Sequence, residues 1–377
     1  MQVAAAVLTS TGSPTPYAAS RPLHVERLTL LPPGPGEVLV QVASAGLCHS
    51  DLSVVDGVRP RPAPMVLGHE AAGVVAEVGA GVTGVSVGDH VVFSFVPVCG
   101  GCVPCQSGRP ALCERGAAAN AAGTLLSGRR VFQRADGEPV NHHLGVSAFA
   151  EYTVCAQESL VRIPASVPLS RACLFGCALL TGVGAVRNTA AAAPGSSALI
   201  VGLGGVGLAA VMGARLAGCH PIIAVDLDAA KLTLAGEVGA SHPLPAGEDV
   251  LTATRELTGG GVDYAFEAVG HPDALATAYA ATRRGGTTVA IGLPHPAARM
   301  PLPALSLVAE ERRLLGSYMG SSVPRRDVPR YIELYQAGLL PVDALAGSVF
   351  ALDDVNAALD RLASGAVARQ VLLPGGA

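Results

Sequence analysis

Tryptophan is absent from this chain, aromatic residues make up only 4% of it, and a single lysine, Lys231, stands against 24 arginines. Charged residues are scarce at 14%, and the formal net charge is −4. A nucleic-acid surface needs clustered cations interleaved with aromatic stacking platforms, and an anionic membrane surface needs a basic patch; neither pattern is present. No nucleic-acid or membrane partner is therefore expected. With abundant alanine, glycine and proline, the arginine excess reads as the codon bias of a GC-rich genome. The start, Met1-Gln2-Val3-Ala4-Ala5-Ala6-Val7-Leu8, lacks the basic residues and long apolar stretch of a secretory signal. One uncharged run, Asn188 to Ala214, has the length of a membrane span, but Pro194 and several glycines interrupt it.

A length of 377 residues suggests two domains or three, and a hydrophobic fraction of 50% suffices for a large core. Nine cysteines is an odd number, which suits a reducing cytoplasm and metal-bound thiolates better than disulfides. Four of them, Cys99, Cys102, Cys105 and Cys113, fall within fifteen residues as C-x2-C-x2-C-x7-C. A tetrahedral metal with sulfur ligands needs tight turns that bring several thiolates to one ion, and Gly100, Gly101 and Pro104 supply them. Such a site carries a net charge of about −2, so backbone N–H groups should surround it.

The first half of the chain reads as β-rich, with short runs such as Val38–Val42, Gly73–Val78 and Gly88–Val92 between glycine and proline turns. A helix follows Pro168, with Ser170 as its N-cap. After Pro194 the texture changes. Ala198–Val201 and Ile222–Val225 are apolar without alternation, as strands buried on both faces are. Tyr264–Glu267 and Thr287–Ile291 repeat the theme, with helical segments between them, which predicts a parallel, doubly wound sheet. Helices follow over Val328–Gln336 and Asp354–Ala363, and Arg369–Leu373 closes the chain as a strand.

Gly202, Gly204 and Gly207 form G-x-G-x-x-G between a buried strand and a helix. The first glycine permits the tight turn, the second lets backbone approach a pyrophosphate, and the third lets helix pack on strand. Gly205 and Val206 belong to the same turn, and the helix start offers free N–H groups to phosphates. Asp226 ends the next strand, where a carboxylate accepts from ribose hydroxyls and repels a 2′-phosphate, so NAD is favoured over NADP. Lys231, one turn on, either covers the adenosine ribose or is a solvated surface lysine.

Outside the cysteine cluster, Cys48 in G-L-C-H-S-D, His69 in G-H-E and Cys177 in G-C-A-L-L-T-G could hold a second metal. Two thiolates and a neutral imidazole neutralise Zn²⁺ and leave a fourth position open. Asp51 and Glu70 are carboxylates suited to orient such ligands. Taken singly, a cysteine is more often a small buried hydrophobe and a histidine a satisfied polar group; no local spacing links the three.

The segments G-L-C-H-S-D, G-H-E-A-A-G-V-V, the four-cysteine lobe, G-C-A-L-L-T-G-V-G, G-L-G-G-V-G, A-V-D and A-R-Q-V-L-L resemble, over essentially the whole chain, the zinc-dependent alcohol dehydrogenases of the medium-chain dehydrogenase/reductase superfamily. Gly123–His143 resembles the insertion of the long animal-type class. The resemblance implies an α/β protein: a GroES-like β-rich catalytic domain over 1–178 and 322–377, with a structural zinc lobe at 95–116, and a Rossmann coenzyme domain over 179–321. It implies two zinc ions per chain, one catalytic on Cys48, His69 and Cys177, one structural on Cys99, Cys102, Cys105 and Cys113. Ser50 matches the hydroxyl that takes the alcohol proton, and Asp51 and Glu70 the acids beneath the zinc. Thr181 and Val206 match residues packing on nicotinamide, Asp226 and Lys231 the adenosine-ribose contacts, and Arg369 a pyrophosphate contact. Phe95, His143 and Leu293 match pocket positions, with Arg59 and Arg61 near the mouth. The run from Arg299 to Leu305, beside the last strand of the coenzyme domain, is expected to form a homodimer across a two-fold axis.

Departures from the family pattern qualify this. His49 stands where an arginine often binds pyrophosphate, which predicts looser coenzyme binding. Ser53 replaces a histidine that passes the proton to solvent, so water must bridge there. His143 replaces a common phenylalanine and makes the pocket more polar. In glutathione-dependent formaldehyde dehydrogenases an acid stands at Arg59, and Ala117 falls where that class has an anion-holding arginine. The expected activity is NAD-dependent interconversion of primary or aromatic alcohols with aldehydes. Two alternatives are a formaldehyde dehydrogenase acting on a thiol adduct and a zinc-less quinone or enone reductase. A zinc-ribbon nucleic-acid module would need the basic surface this chain lacks.

Overall fold

The β-branched and alanine-rich runs of the first half pair into two sheets. The computed structural model describes residues 1–247, 249–365 and 369–375. Two units are defined by their internal contacts: Met1–Cys177 with Val323–Glu333 and Ala346–Ala377, and Ala178–Ser322 with Leu334–Leu345.

In the first unit, Gln2–Leu8 pairs antiparallel with Leu23–Leu30 along its whole length. Phe132–Gln133, Pro139–His142 and Met65–Val66 close this ribbon into a barrel, which leaves no open edge. Val3, Ala5 and Val7, two residues apart, face one core with Leu28, Leu30 and Phe132. The second sheet is built around Glu37–Gly46, which pairs with Glu70–Val78, Tyr152–Ala156 and the C-terminal strand Arg369–Leu373. His90–Phe93 extends it, two residues later than Gly88–Val92 suggests, because Gly88 takes a left-handed φ of 88° in the turn. The helix expected from Ser170 begins at Leu169, with Pro168 at the cap position, so Ser170 lies inside the first turn.

The second unit carries six parallel strands in the order His242–Pro245, Ile222–Asp226, Ala198–Val201, Val262–Glu267, Thr282–Ala290, Arg313–Gly316. The first strand in sequence lies third in space. Its successors run outward on one side, then the chain crosses back to build the other. That reversal is the topological switch point where α/β sheets bind ligands, at the carboxyl ends of the strands. All four residues of Ala198–Val201 are buried, which explains their lack of alternation. The uncharged run from Asn188 resolves into a turn, this strand, the glycine turn and the helix Gly205–Leu216. Among the described residues no single helix is long and apolar enough to cross a membrane. Arg299–Pro303 is irregular, and the short helix Ala304–Ala309 leads into the edge strand Arg313–Gly316.

Candidate active site and metal centres

Strand register brings two of the three candidate ligands together. Gly46 pairs with Glu70 across antiparallel strands, so Cys48, two residues beyond one strand end, and His69, one residue before the other, emerge at the same end of the sheet. Gly46 has to be small: a Cβ there would lie 2.6 Å from Glu70 Oε1. Gly68 turns the chain into His69 with φ 90°, against the Phe149 ring. Cys177 arrives from a helical segment packed on the next strand, His90–Phe93. It ends the tight turn Cys173–Gly176, which packs so closely that a Cβ on Gly176 would lie 2.2 Å from the Phe93 carbonyl oxygen.

The ligand atoms of Cys48, His69 and Cys177 all lie within 4.8 Å of one another, and all three residues are buried. His69 Nε2 and Cys177 Sγ are 3.6 Å apart. Bond lengths of about 2.3 Å to sulfur and about 2.0 Å to nitrogen at tetrahedral angles demand an edge of about 3.5 Å, so this donor set fits zinc.

Two layers of charge lie beneath. Asp51 is fully buried; one oxygen accepts the Cys48 N–H at 3.0 Å, and the other lies 3.0 Å from His69 Nδ1. Burial opposes its charge, but the two facing histidines outweigh burial and hold Asp51 far below the ordinary carboxylate range. A donor bond from Nδ1 leaves Nε2 with the lone pair a metal needs. Burial likewise opposes charge on His69, yet Asp51 and Cys48 keep its pKa well above the usual histidine value. A hydrogen bond from the Cys177 thiol, helped by Arg369 and His69, pushes Cys48 well below the usual thiol value, and thiolate is the ligating form. Glu70 is pushed up to about 7 by burial, against the pull of the Arg369 guanidinium 3.2 Å away. Arg369 is itself buried, and its strand pairing places it next to Cys48: Val371 sits opposite Gly46, and Leu47 N–H donates to the Gln370 carbonyl.

The four-cysteine lobe is equally preorganised. Cys102 Sγ lies 3.4 Å from Cys105 Sγ and 4.0 Å from Cys113 Sγ, close to the edge of a zinc–sulfur tetrahedron and far from a disulfide bond length. Cys113 caps the helix Glu114–Ala122, and its sulfur accepts the N–H groups of Gly116 and Cys99, each at 3.3 Å. Backbone N–H groups of Cys105 and Glu114 bring Cys102 down to about 6. All nine cysteines are free of disulfides.

In the second unit, Gly202 adopts φ 90°, where a Cβ would strike Val269. A Cβ on Gly207 would lie 1.7 Å from the Gly202 carbonyl oxygen, so helix and strand touch through this glycine. Gly204 faces open space, as close approach by a ligand requires. Asp226 Oδ2 accepts the Leu203 N–H at 2.7 Å and its other oxygen accepts the Asp228 N–H at 3.0 Å. The carboxylate is therefore fixed beside the turn. Gly205 and Val206 open the helix, and Lys231 is partly buried on the helix that follows Asp226. Thr181 is buried on Ala178–Gly184, which packs against Gly205–Leu216: a Cβ on Gly182 would lie 2.3 Å from the Val206 carbonyl oxygen. These features fit a dinucleotide.

The residues expected at the pocket are placed separately in each unit. Phe95 and His143 both stand edge-on to the His69 ring, at 5.5 Å and 5.4 Å between centroids. Leu293 lies on the other unit and is half exposed. Ser50 is partly buried and His49 exposed at the start of the helix His49–Val55. Ser53 donates its hydroxyl to the Ser50 carbonyl at 2.9 Å, and Arg59 donates to that hydroxyl at 3.2 Å. What the sequence does not reveal is that His143 Nδ1 lies 3.1 Å from the same Asp51 oxygen that holds His69. The two histidines lie far apart in the chain, and no local pattern links them.

A buried two-sulfur, one-nitrogen donor set in one unit, with a phosphate-binding turn on a doubly wound sheet in the other, defines a metal-using nucleotide-dependent dehydrogenase. Residues 34–165 match the alcohol dehydrogenase GroES-like domain, and residues 205–337 match the zinc-binding dehydrogenase family. The chain is 36% identical over 361 residues to an S-(hydroxymethyl)glutathione dehydrogenase of Synechocystis sp., covering 94% of this chain and 97% of that one. A zinc-binding-domain alcohol dehydrogenase from Burkholderia ambifaria superposes with a TM-score of 0.93 at 38% identity, over 99% of each chain. Benzyl alcohol dehydrogenase from Acinetobacter calcoaceticus does so at 0.90 and 32%, again over 99% of each. The chain belongs to the zinc-dependent alcohol dehydrogenases of the medium-chain dehydrogenase/reductase superfamily. It is a zinc-containing, NAD-dependent alcohol dehydrogenase.

Proposed function

We propose that this enzyme oxidises primary and aromatic alcohols to aldehydes, and runs the reverse reaction, with the first unit as catalytic domain and the second as coenzyme domain. The observation that carries the proposal is the buried convergence of Cys48, His69 and Cys177, with Ser50 two residues after Cys48 in the first turn of the helix His49–Val55. In this reading the trio holds the catalytic zinc and the four-cysteine lobe holds the structural one. When bound, zinc supplies Lewis acidity toward an alcohol oxygen and NAD supplies the hydride acceptor. Asp51 keeps His69 in the tautomer whose Nε2 lone pair faces the thiolates. Glu70 and Arg369 balance charge beneath the thiolates. Ser50 Oγ receives the alcohol proton and passes its own to water, because Ser53 supplies no imidazole to carry it outward. Thr181 and Val206 would pack on the nicotinamide ring, and Phe95 and His143 bound the space beside His69. Asp226 selects NAD through the ribose hydroxyls.

Steady-state turnover of benzyl alcohol with NAD tests the proposal. Activity lost in both Cys48→Ala and Cys177→Ala is the expected outcome; activity retained in either removes the catalytic trio and reopens the zinc-less reductase. A thiol-dependent formaldehyde dehydrogenase is the second reading, favoured by the name of the Synechocystis relative. Formaldehyde oxidation that appears only when glutathione or mycothiol is added selects it.

We further propose a homodimer. Leu305 and Val308 are 78% and 80% exposed on a helix that buries no residue, next to the open edge strand Arg313–Gly316. Sedimentation as a monomer at micromolar concentration refutes this. Nine free cysteines are consistent with a reducing cytoplasm, where we place the protein.

A further inference from the structure

Two arginines approach the candidate alcohol site from the loop that follows the helix His49–Val55. Their sequence is Arg59-Pro60-Arg61-Pro62-Ala63-Pro64, with proline at every second position. Each proline fixes its own φ and restricts the residue before it, so the backbone at both arginines has few conformations to lose on binding.

Each guanidinium is also tied to an element that carries a site residue. Arg59 donates through Nη1 to Ser53 Oγ at 3.2 Å, and Ser53 in turn donates to the Ser50 carbonyl. The Arg59 N–H donates to the Ser53 carbonyl at 2.7 Å. Arg61 donates through Nη1 to the Asn120 carbonyl at 3.3 Å, and the Asn120 side chain donates to the Phe95 carbonyl at 2.8 Å. One arginine is thus linked through Ser53 to the carbonyl of Ser50, the serine proposed to take the alcohol proton, the other through Asn120 to the backbone of the pocket phenylalanine. Both are partly buried. Arg61 makes no ion pair among the described residues. In a chain with so few charges, no carboxylate among the described residues accounts for the placement of Arg61.

We infer that Arg59 and Arg61 form an oxyanion-recognising subsite beside the alcohol pocket, so that the preferred substrate is an alcohol bearing a carboxylate or similar anionic group at its far end. This rests on the alcohol-dehydrogenase reading above and narrows its substrate class. Planar guanidiniums pair with carboxylates through paired N–H donors, and a partly desolvated site strengthens that pairing. The carboxylate belongs either to the alcohol itself or to the thiol half of a hydroxymethyl thiol adduct; the chemistry is shared.

The test compares kcat/KM for 4-(hydroxymethyl)benzoate and benzyl alcohol on the zinc-loaded enzyme with NAD. Kd values for both alcohols are measured by calorimetry on the same sample. Charge-assisted hydrogen bonds predict a preference for the carboxylate of about tenfold or more. In the double variant Arg59→Met/Arg61→Met that ratio should fall toward one. With the unmodified enzyme, raising salt from about 0.05 to about 0.5 M should depress turnover of the carboxylate selectively, a readout independent of variant folding. Equal use of the two alcohols, or a preference that survives in the double variant or ignores salt, overturns the inference. If neither alcohol is oxidised, the alcohol-dehydrogenase reading fails. The Kd ratio then still decides the subsite: binding of the carboxylate no tighter than benzyl alcohol overturns it. A third arm, formaldehyde with glutathione, separates the sources. Preference for the adduct assigns the anion to the thiol and preference for the benzoate assigns it to the alcohol, and either supports the subsite.

Discussion

Replacing Asp226 with glycine should transfer coenzyme preference from NAD toward NADP. The carboxylate is fixed at the strand end by the N–H groups of Leu203 and Asp228, at 2.7 Å and 3.0 Å. Ribose hydroxyls that donate to such a charged acceptor contribute about 1.5–3 kcal/mol. A 2′-phosphate about 5 Å away meets a like charge, at about 3 kcal/mol per unit charge for an effective dielectric constant near 20. Asp226 is only partly buried, so screening reduces this to about 1–2 kcal/mol. The two parts sum to about 2.5–5 kcal/mol, a change in the NAD-to-NADP ratio of kcat/KM of about 10² to about 5 × 10³. Glycine also strips the Leu203 N–H of its acceptor, which loosens the phosphate turn. Asp226→Asn is therefore measured beside it, since an amide oxygen keeps one acceptor and drops the charge. The asparagine variant should give an intermediate ratio with little loss of thermal stability. The assay is steady-state turnover of one alcohol with each coenzyme, supported by NADH and NADPH fluorescence titrations. A ratio unchanged within about threefold in both variants would mean that Asp226 braces the turn and never meets the ribose.

Metal analysis should find about two zinc ions per chain, about one in Cys48→Ala, and about one in Cys113→Ala with a lowered melting temperature; two ions retained in Cys48→Ala would dissolve the catalytic centre. Buried His142 is lowered to about 3 by burial and by Arg130 and Arg129, and accepts the Val131 N–H at 3.3 Å as the neutral ring. Between that value and the ordinary histidine value only the unfolded chain takes up the proton, so stability should fall as pH drops below about 6.5, by about 1.4 kcal/mol per pH unit. His142→Gln should flatten that slope by about one proton in denaturant melts between about pH 6.5 and about pH 5; an unchanged slope refutes the assignment.

Several features were fixed locally and so were legible in the chain. The C-x2-C-x2-C-x7-C spacing dictates one metal lobe, because fifteen residues cannot separate their thiols far. The glycine turn declares itself too: a Cβ at Gly202 or Gly207 would collide with neighbouring atoms. Unalternating runs such as Ala198–Val201 announce strands covered on both faces. Boundaries were less legible, as at Gly88 and Ser170, where a turn conformation and a proline shift the start by one or two residues.

Other features exist only because strands meet. Cys48, His69 and Cys177 share no spacing; the Gly46–Glu70 register and the turn packed on Phe93 bring them together. The same is true of Arg369 beside Cys48, of two histidines on one Asp51 oxygen, and of Arg61 on the helix that braces Phe95. Periodicity and spacing report forces that act within a few residues. Convergence across a sheet depends on register and side-chain packing between distant segments, which folding alone decides.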